Sequence, residues 1–132
     1  MQPHSWVAIV TLTALLVYFG MSLQVARTRR KVGIFAPAMT GDALLERTIR
    51  AHTNTLEWLP IFLPSLWLFA VYWSDAAAAI IGAVWIVGRV IYFRGYVVDA
   101  GKRGPGFFIQ AMATGALLFG ALGRVLYLAI PG

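Results

Sequence analysis

The chain has 132 residues, of which 60% are hydrophobic and 12% charged, and its formal net charge is +6. A soluble domain carries about 25% charged residues, and the apolar residues here lie in blocks too long for a globular core, so the pattern is that of an integral membrane protein. The basic residues flank those blocks, as membrane orientation requires, which makes nucleic acid a poor explanation of the charge.

Cysteine is absent. Disulfides, thiolate metal sites and a cysteine nucleophile of the protein's own are therefore excluded, and any thiol chemistry needs a thiol brought by a ligand. No cleavable signal peptide is expected, because MQPHSW lacks a basic n-region and the first apolar block is too long for an h-region.

Four spans are expected in one membrane domain covering residues 1–132. The first, about residues 6–26, has the ~20 apolar residues needed to cross ~30 Å of hydrocarbon as a helix. It ends at Arg27, Arg29, Arg30 and Lys31. Pro37, Gly41 and Asp42 mark a loop, with Asp42 placed to cap the second helix. That helix, about 43–73, starts amphipathic, becomes fully apolar near Trp58, and contains Pro60 and Pro64, which membrane helices tolerate. Ser74 and Asp75 form a short turn into the third span, about 76–98, whose small residues suit close helix approach. Gly104 and Pro105 then break the chain before a fourth span at about 107–130, with small-xxx-small pairs at Ala111/Gly115 and Ala116/Gly120. The fold class is thus an all-α bundle of four transmembrane helices.

Nine of the eleven Lys and Arg residues lie around the first and third connections, and none lies in the second connection or at the termini. The positive-inside rule puts loops one and three in the cytoplasm and both termini outside. Arg124 is near the outer end and can snorkel. Arg89 is deeper and needs a partner. It lies 13 residues from Ala76, and Glu57 lies 16 from Trp73. At ~1.5 Å per residue the two depths differ by about 5 Å, so an Arg89–Glu57 pair is expected.

Glu46, Arg50, Asn54 and Glu57 are spaced i, i+4, i+8, i+11 on the second helix, which aligns them in one narrow stripe. Glu46 is expected to hold Arg50 as an i, i+4 pair. Tyr92, Tyr96, Asp99 and Arg103 form a comparable stripe on the third helix. Tyrosine and arginine at a membrane boundary commonly serve as belt and anchor residues. Glu57 and Asn54 are not anchors, and a carboxylate in a membrane helix is costly unless paired or functional. Arginines suit carboxylates, Glu57 suits an ammonium, Asn54 offers a donor and an acceptor, and tyrosine hydroxyls can donate to a thiol or oxyanion. A short peptide with free carboxylates and one amine satisfies this set, and the residues alone reach no further.

ERTIRAHTNTLEWLP (46–60) and RVIYFRGYVVDAGKR (89–103) resemble the helix-two and helix-three motifs of the MAPEG family, the membrane-associated proteins in eicosanoid and glutathione metabolism. The resemblance covers most of the chain, in register from about Arg29 to Arg103. It implies a homotrimeric four-helix bundle that binds glutathione as cosubstrate between subunits and conjugates it to, or reduces, a lipophilic electrophile arriving from membrane lipid. By this resemblance Arg50, Asn54 and Glu57 bind the glutathione backbone, and Tyr92 and Tyr96 contact the ligand. Arg29 and Arg30 come from the adjacent subunit, and Arg103 is the catalytic cation that stabilises the thiolate. His52 stands where the leukotriene-synthesising branch has glutamine and is expected to face another chain and bind the glutathione of that neighbouring subunit. Trp58 stands where that branch has tyrosine, and the resemblance places it among the glutathione-binding residues without a hydroxyl to contribute. The Gly104-Pro105-Gly106 run is expected to loosen the end of helix three. The chain stops at Pro131-Gly132 without the polar tail of some animal members, which reads as a bacterial, inner-membrane form. Two other readings stand beside the enzyme: a non-catalytic lipid- or glutathione-binding member of the same family, and a small four-span transporter. The transporter reading suffers because the polar residues cluster at one membrane face instead of lining a midplane path.

Overall fold

The structure is a computed structural model and describes residues 2–131. Four helices form one bundle: α1 (Ser5–Val32), α2 (Ala43–Tyr72), α3 (Asp75–Val98) and α4 (Gly104–Ala129). Each is long and apolar enough to cross a membrane. Large apolar side chains such as Leu16, Phe19, Ile80 and Phe119 stay exposed on the outside. Lipid tails solvate such a surface, so the bundle is held by close packing and interhelical hydrogen bonds and not by the exclusion of water.

The helix ends follow local chemistry. Asp42 caps α2 by accepting the Leu45 N–H at 3.0 Å, and Ser74 caps α3 by accepting the Ala77 N–H at 3.2 Å. Two ends depart from expectation. The first helix does not stop at Ala26 but continues to Val32, where Gly33 at φ 73° closes it by donating to Arg29 O. Arg29, Arg30 and Lys31 therefore occupy the last turn, where cations complement the helix dipole. The fourth helix starts at Gly104, with Pro105 in its first turn, after a 3-10 turn over Ala100–Lys102. That turn is braced: the Asp99 carboxylate accepts the Gly101 N–H at 3.0 Å, and Arg103 Nη1 donates to Ala100 O at 2.8 Å. Gly104, Pro105 and Gly106 form the first turn of α4, and the end of α3 before them is braced by Asp99 and Arg103.

Inside the bundle, Phe62 of α2 stacks on Trp85 of α3 at 3.9 Å between centroids, among Val7, Ala14, Leu66 and Leu117. At the end where α1 begins, Trp67 Nε1 donates to Thr11 Oγ1 at 2.9 Å, His4 lies 3.2 Å from Asp75, and Trp73 Nε1 donates to Gly120 O at 2.8 Å. Arg124 stacks over Trp73 at 4.9 Å at this same end. Small residues do permit close helix approach, at positions only partly foreseen. Gly115 faces nothing within 4 Å in this chain, whereas Gly120 lies against the Phe69 ring. The tightest crossing is α3 on α4, where a Cβ on Gly106 would collide with the backbone N and Cα of Tyr92 and meet Gly88 O at 2.7 Å.

Candidate functional site

At the opposite end of the bundle, α2, α3 and α4 enclose a cavity of about 300 Å³ lined by Arg50, Asn54, Tyr92, Tyr96, Arg103 and Phe107. The volume is at the small end of the ~300–1,000 Å³ usual for small-molecule sites. The i, i+4 spacing on α2 aims Arg50 and Asn54 at it, and the same spacing on α3 aims Tyr92 and Tyr96. The Gly106 crossing seats Tyr92 at the cavity floor, where it is buried. The two tyrosine rings meet edge to face at 5.6 Å, and the Arg103 guanidinium lies over Tyr96 at 5.5 Å. Five of the residues singled out in the sequence thus converge on one wall.

Glu57 stands beside the cavity and is about half exposed. Its Oε1 is 3.5 Å from Arg50 Nη1 and 3.5 Å from Asn54 Nδ2. These contacts are long for charge-assisted bonds, which run about 2.7–2.9 Å, so the carboxylate keeps capacity for another donor. A second hollow of about 440 Å³ shares Arg50 and Tyr96 with the first and extends past Glu46, Arg47 and Thr40. A larger groove, about 750 Å³, runs between α1 and α3, with Gln24 and Arg94 as the polar side chains that line it. Its chemistry suits apolar chains and not a zwitterion.

Two expected pairs do not form. Arg89 does not meet Glu57; its Nη2 donates instead to Asn54 Oδ1 at 2.9 Å and Thr55 Oγ1 at 2.8 Å. Matching depth along two helices leaves the azimuth open, and α2 turns Thr55 towards α3 while Glu57 faces outward. Glu46 does not hold Arg50 either. Its Oε2 reaches back to accept the Gly41 N–H at 3.2 Å, because a carboxylate in the first helical turn finds unpaired N–H groups nearby. Arg50 pairs with Glu57 instead.

The remaining residues lie off the cavity in this chain. His52 does not point away from its own subunit: its ring stacks on Tyr18 of α1 at 4.7 Å and 9°. Trp58 packs edge-on against Phe107 at 5.5 Å, one ring behind the cavity wall. Arg29 Nη1 donates to Ala38 O at 2.6 Å and holds the first loop, while Arg30 is exposed. Sequence reasoning missed Phe107 as a wall residue, since a lone aromatic at a helix start carries no distinguishing signal. It also missed Arg47, whose Nε donates to Val97 O at 3.1 Å and ties the start of α2 to the end of α3. No cluster of His, Cys, Asp and Glu able to hold a metal occurs among the described residues.

The MAPEG family model matches residues 7–123. The chain belongs to the MAPEG family. Among its MAPEG relatives, an uncharacterized protein of Synechocystis sp. is 43% identical over 122 residues, covering 92% of this chain and 89% of that protein. Leukotriene C4 synthase of Cavia porcellus is 40% identical, covering 84% of this chain and 74% of its own length. Microsomal glutathione S-transferase 2 of Homo sapiens is 41% identical, covering 77% and 70%.

Proposed function

We propose that this chain is a glutathione-dependent membrane enzyme that activates glutathione as the thiolate and conjugates it to a lipophilic electrophile. The observation that carries the reading is the convergence of Arg50, Asn54, Tyr92, Tyr96 and Arg103 on one cavity with Glu57 at its edge. That set matches a tripeptide bearing two carboxylates, one ammonium and one thiol. Arg50 takes a carboxylate, Asn54 a backbone group, and Glu57 the ammonium. Arg103 and the Tyr96 hydroxyl flank the sulfur. A nearby cation favours the thiolate over a thiol of pKa near ~8.5. The thiol proton leaves to solvent, the sulfur forms a bond to the electrophilic carbon, and the displaced group or opened-ring oxygen takes the electron pair.

Arg29, Arg30 and His52 lie outside the cavity of their own chain. We assign the two arginines to the cavity of a neighbouring subunit in a homotrimer, which also closes the open side of the site. The basic ends of the helices face the cytoplasm, of a bacterial inner membrane on this reading, and the whole chain acts as one membrane domain. The names of two relatives, a leukotriene C4 synthase and a glutathione S-transferase, agree with transferase chemistry. The test is direct. Purified protein in detergent should bind glutathione and conjugate it to a generic aryl halide. Absence of both activities rejects the enzyme and leaves a non-catalytic binding member or a transporter.

A further inference from the structure

Arg89 has no place in the reaction just described, yet it is fully buried, at 0% exposure, in the middle of the bundle. The ion pairs among the described residues are His4–Asp75 and Arg50–Glu57, so Arg89 has no carboxylate partner. A buried cation without a counter-ion is costly inside a membrane helix. What holds it is neutral. The Tyr92 ring lies 4.3 Å from the guanidinium carbon, and Asn54 Oδ1 and Thr55 Oγ1 accept from Nη2. Thr55 donates its own proton to Ala51 O at 2.9 Å, which leaves its lone pairs for the guanidinium. All the charge-assisted hydrogen bonding of Arg89 in this chain is therefore directed at α2.

The donor inventory then fixes a direction. A guanidinium has donors and no acceptor, so the Asn54 oxygen must face Arg89 and the Asn54 nitrogen must face away. That nitrogen is 3.5 Å from Glu57 Oε1. An Asn54 amide released from Arg89 is free to turn over, and its oxygen would then confront the Glu57 carboxylate.

We propose that Arg89 is a positioning residue that locks the Asn54 amide and, through it, holds Glu57 in the orientation that receives the ammonium of the ligand. Arg89 thereby determines selectivity for a peptide with a free amine, although it touches no ligand atom. The inference rests on the glutathione reading of the cavity and refines it.

The test compares glutathione with its deaminated analogue, the same tripeptide with hydrogen in place of the α-amino group, by calorimetry on detergent-solubilised protein. Wild type should prefer glutathione by about tenfold or more, as expected for a hydrogen bond to a charged group. In Arg89→Met, which fills similar space without a hydrogen-bond donor, the preference should fall to near parity while affinity for the analogue stays close to wild type. Arg89→Lys, which keeps a buried donor facing Asn54, should restore part of the preference. If Arg89→Met does not fold, Arg89→Leu decides by the same ratio. Parallel weakening of both ligands, with the ratio retained, marks Arg89 as merely structural and overturns the inference alone. Wild type that binds both ligands equally overturns it too, and leaves glutathione binding standing. Wild type that binds neither overturns the glutathione reading along with it.

Discussion

Arg103→Ala removes the cation on which the proposed thiol activation depends, and the size of its effect follows from where the residue sits. Arg103 is exposed in the single chain, braced on Ala100 O and laid over Tyr96 at the cavity wall. Two unit charges about 5 Å apart interact by about 0.8 kcal/mol in water and by about 3 kcal/mol at an effective dielectric of ~20. Lowering a thiol pKa by two units takes about 2.7 kcal/mol. An isolated chain thus supplies about half a unit, and the full shift requires that a neighbouring subunit exclude water from Arg103. The assay is a pH titration of the ultraviolet thiolate absorbance of bound glutathione. In the wild type, assembled as proposed, the midpoint should lie near ~6.5, making about three quarters of the ligand thiolate at pH 7. Losing the cation destabilises the thiolate, so the midpoint of Arg103→Ala should rise towards ~8.5 and leave a few per cent thiolate at pH 7. The pH at which conjugation sets in should rise with it, and glutathione affinity should change much less than the absorbance. Dissociating the proposed assembly with a harsher detergent should move the wild-type midpoint in the same direction. A variant that titrates like wild type refutes the assignment of Arg103.

Three further outcomes are expected. Glu57→Gln should weaken glutathione binding by about 1–3 kcal/mol, the cost of stranding a charged partner, and unchanged affinity would remove Glu57 from the site. Gly106→Ala drives a methyl group into the Tyr92 backbone. It should lower the melting temperature in detergent, at a cost of about 1–3 kcal/mol or more, and weaken glutathione binding as Tyr92 shifts; a wild-type melt would contradict the crossing described above. Phe62→Ala empties the stack against Trp85. Inside a bilayer the packing loss remains without the water-transfer term, so about 2–3 kcal/mol of stability should go while glutathione affinity in the folded fraction is kept; a large change in affinity would show that the core and cavity are coupled.

The four spans were legible because hydropathy over ~20 residues is a strong signal. The end of α1 was not, since the apolar pattern stops where hydrocarbon stops, and a helix of Arg and Lys continues readily beyond it. The cavity wall was legible because residues at i and i+4 share a face whatever the partner helix does. The pairings were harder. Periodicity places Glu57 and Asn54 on one stripe, and only the rotation of α2 against α3 decides that Arg89 meets Asn54 and Thr55. Glu46 illustrates a local competitor: its i+4 partner was correct in spacing, but the free N–H of Gly41 was nearer. His52 was assigned outward by its angle from the stripe, and that face of α2 is covered by Tyr18 of the same chain.

The edge-on contact of Trp58 with Phe107 turns the cavity into something that can be watched by light. Trp6 is exposed, Trp67 and Trp73 are tied to hydrogen-bond acceptors remote from the cavity, and Trp85 is sealed against Phe62. Trp58 alone among the five tryptophans packs on a ring that forms the cavity wall. A molecule bound between Tyr92, Tyr96 and Phe107 would touch that ring and alter the surroundings of one indole. Intrinsic emission, compared between wild type and Trp58→Phe, therefore reports occupancy without any label attached to protein or ligand.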